Sequence, residues 1–308
     1  MRISGGLAAS CRKTPERSAW LDRLPELVHE LECRWSLTPD VPLQGEDPSC
    51  SYVAAVLRAD GTPAVLKIGM PHMEQEHEIH GLRFWGGDPT VRVLASDDEL
   101  GAILLERCQP GTTLRVLEEC EQDVVISGLL RRLWRSPSTP HRFRPLSALT
   151  EYWSDETLAR IERWPDSGLV REGLWLFKEL PRNAARAVLL ATDLHAGNVL
   201  RAEREPWLVI DPKPFVGDPA YDATQHLFNC CSRLRLNPDK TVRRLAELLG
   251  VDHERLRLWT FARAAAGRAL IGAMAIWSNS LAQSLRKTTF ATSWRRLAQK
   301  NSRPNSHI

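Results

Sequence analysis

The stretch LLATDLHAGNVLRAEREPWLVIDP, residues 189–212, places two carboxylates and an amide around a pair of short apolar runs. Asp193 and Asn198 stand in the pattern D-x-x-x-x-N, and Asp211 directly ends the run WLVI. Runs at 187–190, 198–201 and 207–210 read as short strands, and the intervening RAEREP is long enough for a hairpin turn. An aspartate standing alone at 193 would be read as a turn cap. The three polar residues together call for a chemical explanation.

The rest of the chain sets the frame for it. At 308 residues and 43% hydrophobic content, the sequence can bury a sizeable core, with room for two lobes. A net charge of +3 is too small to point to nucleic acid, and it is unevenly placed. Arg286, Lys287, Arg295, Arg296, Lys300 and Arg303 form a basic ending with no acidic residue, and the body before it is mildly acidic. The seven cysteines are scattered, without a Cys-x-x-Cys pair, which argues against a zinc site or disulfide framework and for reduced thiols in a cytoplasm. No apolar segment follows the basic residues of 1–20, so no signal peptide is expected. The apolar stretch 258–277 is interrupted by Arg263 and Arg268 and reads as a core helix, not a membrane span. Neither nucleic acid nor membrane is an expected partner.

Upstream, residues 19–35 space Trp20, Leu21, Leu24, Leu27, Val28 and Leu31 as one face of a helix. YVAAVLRADGTPAVLKIG (52–69) contains two β-like runs joined at Asp60-Gly61, a hairpin signal. MEQEHEIHGLRFW (73–85) reads as a helix, and VRVLAS (91–96) and GAILLER (101–107) as two further strands. After about Thr112 helical patterns dominate, interrupted by the hairpin around Asp193–Asp211. The expected fold is α+β: a small antiparallel sheet lobe with one inserted helix, then a larger, mostly helical lobe.

Phosphoryl transfer would use the polar residues of 189–212. It asks for an aligned nucleophile and neutralised phosphate charge, with little covalent chemistry from the protein. In a loop of this spacing an Asp faces the acceptor hydroxyl and an Asn binds metal. A second carboxylate is needed for Mg²⁺, which takes oxygen ligands, and Asp211 at a strand end suits that role. Lys67 lies in the β-like run AVLKIG of the first lobe; flanked by Leu66 and Ile68, it would project away from them into a cleft. There it could bind α- and β-phosphates and pair with a helix glutamate, Glu78 being the expected partner and Glu74 lying one turn earlier.

With these residues in place the chain resembles the aminoglycoside phosphotransferase group of the protein-kinase-like superfamily. It is most similar to the streptomycin 6-kinase and hydroxyurea phosphotransferase branch. The matching stretches are SYVAAVLRADGTPAVLKIG (51–69), HEIHGLRFWGG (77–87), ILLERCQPG (103–111), TDLHAGNVL (192–200) and WLVIDPKPFVGDPAYD (207–222). The resemblance implies a two-lobed kinase fold that uses ATP and Mg²⁺. The γ-phosphate would pass to a hydroxyl of a small-molecule acceptor such as streptomycin or hydroxyurea. It also implies that Glu106, Arg107 and Cys108 form the hinge that meets adenine through backbone groups. The expected division is a nucleotide-binding lobe over 1–107, a helical lobe over 108–285 and a basic tail over 286–308. Many relatives read His-Gly-Asp in the catalytic loop, whereas Ala191-Thr192 precede Asp193 here. That departure supports the alternative of a catalytically impaired, nucleotide-binding kinase-like protein. Asp-Phe-Gly and Ala-Pro-Glu sequences are absent after Asp211, which argues against a protein kinase.

Other polar residues have plainer readings. His195 is expected to pack or hydrogen-bond within the loop. Asp218 and Asp222 are expected to cap the helix starting near Pro219. His72, His77 and His80 are expected on a polar helix surface, because spacings of five and three do not gather them on one face. Ser284 and Lys287 match Ser-x-x-Lys without its companion motifs, a chance match. Trp20, Trp134 and Trp259 are assigned to the core. A cationic acceptor would require carboxylates, for which Glu151, Asp155, Glu156 and Asp166 are candidates.

Overall fold

The computed structural model describes residues 3–41, 43, 50–73, 76–164 and 166–267. Glu74, Ser284, Lys287 and the basic ending therefore lie outside the described residues.

Two helices open the chain, α1 (Gly5–Cys11) and α2 (Pro15–Arg34). The helix expected over 19–35 starts earlier because Thr14 caps it, accepting from the Arg17 amide at 3.4 Å, and Pro15 sits in the first turn, where its missing N–H costs nothing. Helix α1 has no sequence signal long enough to predict it. It is held by tertiary contact, with Leu7 and Cys11 buried.

Next comes a five-stranded antiparallel sheet in the order β1-β2-β3-β5-β4, formed by Thr38–Pro39, Ser51–Leu57, Pro63–Gly69, Val93–Asp97 (β4) and Ala102–Glu106 (β5). The β2–β3 turn is the predicted one: Gly61 takes φ +78, and Asp60 accepts from the Thr62 amide at 2.9 Å. Alternation along β3 decides the placement of Lys67. Leu66 and Ile68 face a core shared with Leu24, Leu27 and Leu31 of α2. Val65 points the other way, to a cluster with Ile79 and Leu82 of α3 (Glu78–Trp85). Lys67 shares the α3 face, since side chains two apart on a strand point alike. The helix expected over 73–85 begins only at Glu78, where the buried apolar positions Ile79, Leu82 and Trp85 set in.

The larger lobe contains α4 (Glu119–Leu133), α5 (Leu146–Leu158), α6 (Ser167–Glu179), α7 (Pro219–Asn229), α8 (Cys231–Leu236), α9 (Pro238–Leu249) and α10 (His253–Ala266). Two short antiparallel pairs are set among them: β6 (Val188–Leu190) with β9 (Phe215–Gly217), and β7 (Val199–Leu200) with β8 (Leu208–Val209). Helix α10 covers the first part of the apolar stretch 258–277 and lies in the core, with Trp259 fully buried. Trp134 is buried as well, and Trp20 packs partly buried against the smaller core. No helix among the described residues is long and apolar enough to cross a membrane.

Several contacts among the described residues fix one lobe against the other. The Trp85 indole donates to the Leu133 carbonyl at 2.9 Å. Leu208 joins Ile79, Leu82, Ile103 and Leu105 in one apolar cluster, with Leu200 and Ile210 against it. Helix α3 meets the loop after Asp211 so closely that a Cβ at Gly81 would lie 2.3 Å from Pro214. Only glycine permits that approach, and it holds Glu78 beside residues 211–214.

Candidate active site

Lys67, Glu78 and Asp211, separated by up to 144 positions in sequence, meet at one point. The Lys67 ammonium donates to Glu78 Oε1 and Asp211 Oδ1, each at 2.5 Å. Lys67 and Glu78 are buried. Burial alone would lower the lysine's pKa, but the Asp211 and Glu78 carboxylates outweigh it and raise it. Burial pushes Glu78 up, with Lys67 opposing. Asp211 is held down, because Lys67 and Lys213 outweigh the effect of burial.

Asp193 and Asn198 approach from the other lobe. Pairing of Val199 with Val209 brings the ends of the hairpin together, and the Ile210 amide donates to the Asn198 carbonyl at 3.0 Å. Asn198 and Asp211 are thus set on adjacent strand ends. Asn198 Nδ2 donates to the Asp193 carbonyl at 3.0 Å, which leaves its Oδ1 as an acceptor for a cation. The oxygen atoms of Asn198 and Asp211 are hard donors of the kind Mg²⁺ takes. His195 accepts from the Gly197 amide through Nδ1 at 3.0 Å, and burial lowers its pKa. The ring thus hydrogen-bonds within the loop. Gly197 leaves room for that ring and for Arg115, each of which would lie 2.8 Å from a Cβ.

Thr192 and Asp211 adopt φ of +51 and +52, the left-handed region that β-branched and acidic residues enter at a cost of roughly 1–3 kcal/mol. What holds Thr192 there is Asp222, fully buried on α7. Its carboxylate accepts from the amides of Ala191 (3.0 Å) and Thr192 (2.6 Å) and from the Trp134 indole (3.1 Å). The expectation that Asp222 caps a helix is therefore corrected. Asp218 is the cap, accepting from the Ala220 amide at 3.0 Å, and Asp222 lies a turn inside, aimed at the catalytic loop. Burial pushes the Asp222 carboxyl up to about 6 against its three donors.

Two residues at this site were missed from sequence. Lys213 donates to Asp193 Oδ2 at 2.6 Å and lies 3.5 Å from Asp211 Oδ2. Gln225 donates to Asp193 Oδ1 at 2.6 Å and is itself held by the Arg263 guanidinium. A spacing of two from Asp211 was the available signal for Lys213. For Gln225 it was the three-residue step from Asp222 along one helix face.

Glu106 ends β5 with its carboxylate engaged by Arg204 at 2.9 Å, and the side chain of Arg107 is taken by Asp40 at 2.5 Å. Cys108 is buried, its thiol pushed up to about 12 by burial. A ligand at this corner would therefore meet main chain rather than these side chains.

Other expectations change. His77 is buried, with its ring against Phe143 and His80, so the histidines of 72–80 do not form a plain polar surface. Glu151 faces Arg182 at 3.8 Å, Asp155 binds Lys178 at 2.8 Å, and Asp166 caps α6 through the Leu169 amide. These carboxylates already have partners, which weakens them as receptors for a cationic acceptor. Asp123, His226 and Cys230 stand close enough to suggest a metal site. However, Arg233 and Arg244 engage the Asp123 carboxylate at 2.6 and 3.0 Å, and their positive charges oppose a cation there.

Comparison with known proteins identifies the family and the fold. The model of the family "Aminoglycoside/hydroxyurea antibiotic resistance kinase" matches residues 34–272. Streptomycin 6-kinase of Streptomyces griseus is 38% identical over 275 residues, spanning 85% of this chain and 88% of that protein. Hydroxyurea phosphotransferase of Kitasatospora aureofaciens is 35% identical over 250 residues, spanning 79% and 72%. Among solved structures, choline kinase LicA from Streptococcus pneumoniae superposes with a TM-score of 0.55 at 14% identity, covering 90% of this chain and 98% of that one. That likeness shows the two-lobed kinase fold. The chain belongs to the aminoglycoside/hydroxyurea antibiotic resistance kinase family.

Proposed function

We propose that this kinase transfers the γ-phosphate of ATP to a hydroxyl of streptomycin, inactivating it, with Asp193 as the base. The observation that carries the reading is the convergence of Lys67, Glu78, Asp211 and Asp193 through the Lys67 and Lys213 ammoniums, in a chain 38% identical to streptomycin 6-kinases.

Lys67, steadied by Glu78, binds the α- and β-phosphates. Asn198 Oδ1 and Asp211 would hold Mg²⁺, which would supply neutralisation of charge on the phosphate oxygens. The backbone at Glu106–Cys108 receives adenine. Asp193 orients the acceptor hydroxyl and accepts its proton late in the transfer, while the attacking oxygen forms its bond to phosphorus and the bond to ADP breaks. No covalent phosphoenzyme forms.

The test is a coupled assay of ADP release with streptomycin or hydroxyurea, with and without Mg²⁺, and mass spectrometry of the acceptor. Streptomycin-dependent ADP release and a phosphorylated product are expected. Asp193→Ala should leave ATP affinity within about twofold and cut turnover about 10²-fold or more, the usual worth of base and positioning effects. Hydroxyurea turnover without streptomycin turnover would reassign the acceptor. ATP binding without ADP release in the presence of any acceptor would favour the impaired-kinase alternative.

A further inference from the structure

Lys213 is tied to its place more firmly than a salt bridge requires. Pro212 and Pro214 flank it, each with a fixed φ. Its amide donates to the Ala191 carbonyl at 2.8 Å, and its carbonyl accepts from the Thr192 hydroxyl at 2.6 Å. The Asp211 loop and the catalytic loop are thereby bound together at this one residue. Its side chain is 11% exposed, and its ammonium reaches Asp193 at 2.6 Å and Asp211 at 3.5 Å.

Neither carboxylate depends on Lys213 alone for orientation. Gln225 holds the other oxygen of Asp193, and Lys67 holds the other oxygen of Asp211. On the functional reading above, Asp193 marks the acceptor hydroxyl and Asp211 the metal-bound phosphates. On that reading, a cation within reach of both stands beside the path of the phosphoryl group. The charge of that group spreads over its equatorial oxygens in the transition state, where a cation already within reach is most effective.

We propose that Lys213 is a further catalytic residue whose ammonium exchanges Asp193 for an equatorial oxygen of the phosphoryl group in flight. The inference rests on the phosphotransferase reading. In the resting site Lys213 occupies Asp193 Oδ2; as the phosphoryl arrives, the ammonium moves to it and frees that oxygen for the acceptor hydroxyl. No proton leaves the lysine.

The test compares wild type with Lys213→Met, which keeps length and loses charge, and Lys213→Arg, which keeps charge. Calorimetry would measure ADP–Mg²⁺ binding alone and with aluminium fluoride, a mimic of the moving phosphoryl group, in the presence of streptomycin. Wild type should bind ADP more tightly when fluoride is added. Lys213→Met should bind plain ADP within about twofold of wild type, lose that tightening about tenfold or more, and lose turnover about 10²-fold. Lys213→Arg should recover part of both. Equal fluoride tightening in Lys213→Met would overturn the proposal. So would a loss of plain ADP binding as large as the loss of turnover, since that marks a structural lock. If wild type binds ADP and turns over streptomycin but shows no tightening, the proposal fails while the functional reading stands. Absence of turnover with both streptomycin and hydroxyurea in wild type removes the reading and the proposal with it.

Discussion

Replacing Asp222 with asparagine tests whether a buried carboxylate holds the catalytic loop. In the native protein this side chain is 0% exposed and serves three donors, two of them consecutive amides at the strained Thr192. Asparagine has one carbonyl oxygen, and its NH₂ would face an N–H in place of accepting from it. At least one buried donor then loses its partner, at about 1–3 kcal/mol, and the hydrogen bonds that remain lose the strength of an ionised acceptor. Against that loss, the mutant no longer buries a charge. Burial lifts the native carboxyl from an ordinary value of about 4 to about 6, a shift worth roughly 3 kcal/mol.

The sign follows from proton binding. Between about pH 4 and 6 the folded state holds the Asp222 proton more tightly than the unfolded chain, so stability falls as pH rises through this window. Above about pH 6 the whole penalty is present; below about pH 4 it is absent. The mutant lacks this dependence, and titrations elsewhere cancel in the difference between the two proteins. Urea unfolding of both at about pH 5 and pH 7.5 should show wild type losing its advantage over Asp222→Asn by about 1.4 kcal/mol at the higher pH. Turnover of the mutant should drop at both, because Thr192 loses its anchor. A stability difference that is flat with pH, or grows toward pH 7.5, would refute the claim that Asp222 is buried at an electrostatic cost. Unchanged turnover would refute its hold on the loop.

Other perturbations probe the surrounding charges. Lys67→Met leaves Glu78 buried without its partner and should cost about 3–5 kcal/mol in urea unfolding; Lys67→Met with Glu78→Met should regain most of that stability but none of the turnover. Burial alone would raise Asp123, but His226 and Arg233 outweigh it and hold it at about 2. It therefore contributes stability above about pH 4 that disappears as pH falls toward 2, so Asp123→Asn should be about 2 kcal/mol less stable than wild type at pH 7, with the gap closing as pH falls toward 2 in denaturation curves.

Much of this was legible locally. The hairpin at Asp60-Gly61 and the placement of Lys67 away from Leu66 and Ile68 follow from turn chemistry and strand alternation, both short-range rules. The α+β lobed fold and the spacing of Asp193 and Asn198 were readable on the same basis, helped by the family resemblance. What was not legible is long-range. Asp222 reads as a cap because a sequence shows that an aspartate stands near a helix start but not which way it points. Only the packing of α7 against the loop turns it toward Ala191 and Thr192. Similarly, Glu151 and Asp155 look available in sequence, and Arg182 and Lys178, which face them, are set there by the packing of neighbouring elements.

The same long-range contacts explain how a site with so many charges can rest without its substrates. Three carboxylates, Glu78, Asp193 and Asp211, surround two ammoniums, Lys67 and Lys213, and each carboxylate has at least one cation on it. On the proposed reading, catalysis replaces the partners of Asp193 and Asp211 with hydroxyl, phosphate and metal, so the ion pairs that orient these two side chains in the resting site are given up during turnover, and only Lys67–Glu78 persists. Side-chain pairs alone could not preserve the geometry through that exchange. The anchors that can are those the substrates do not touch: Asp222 on two loop amides, the Thr192 hydroxyl on the Lys213 carbonyl, and Gly81 beneath Pro214. This accounts for the left-handed Thr192: a buried acceptor pins one conformation of the loop, whatever occupies the cleft.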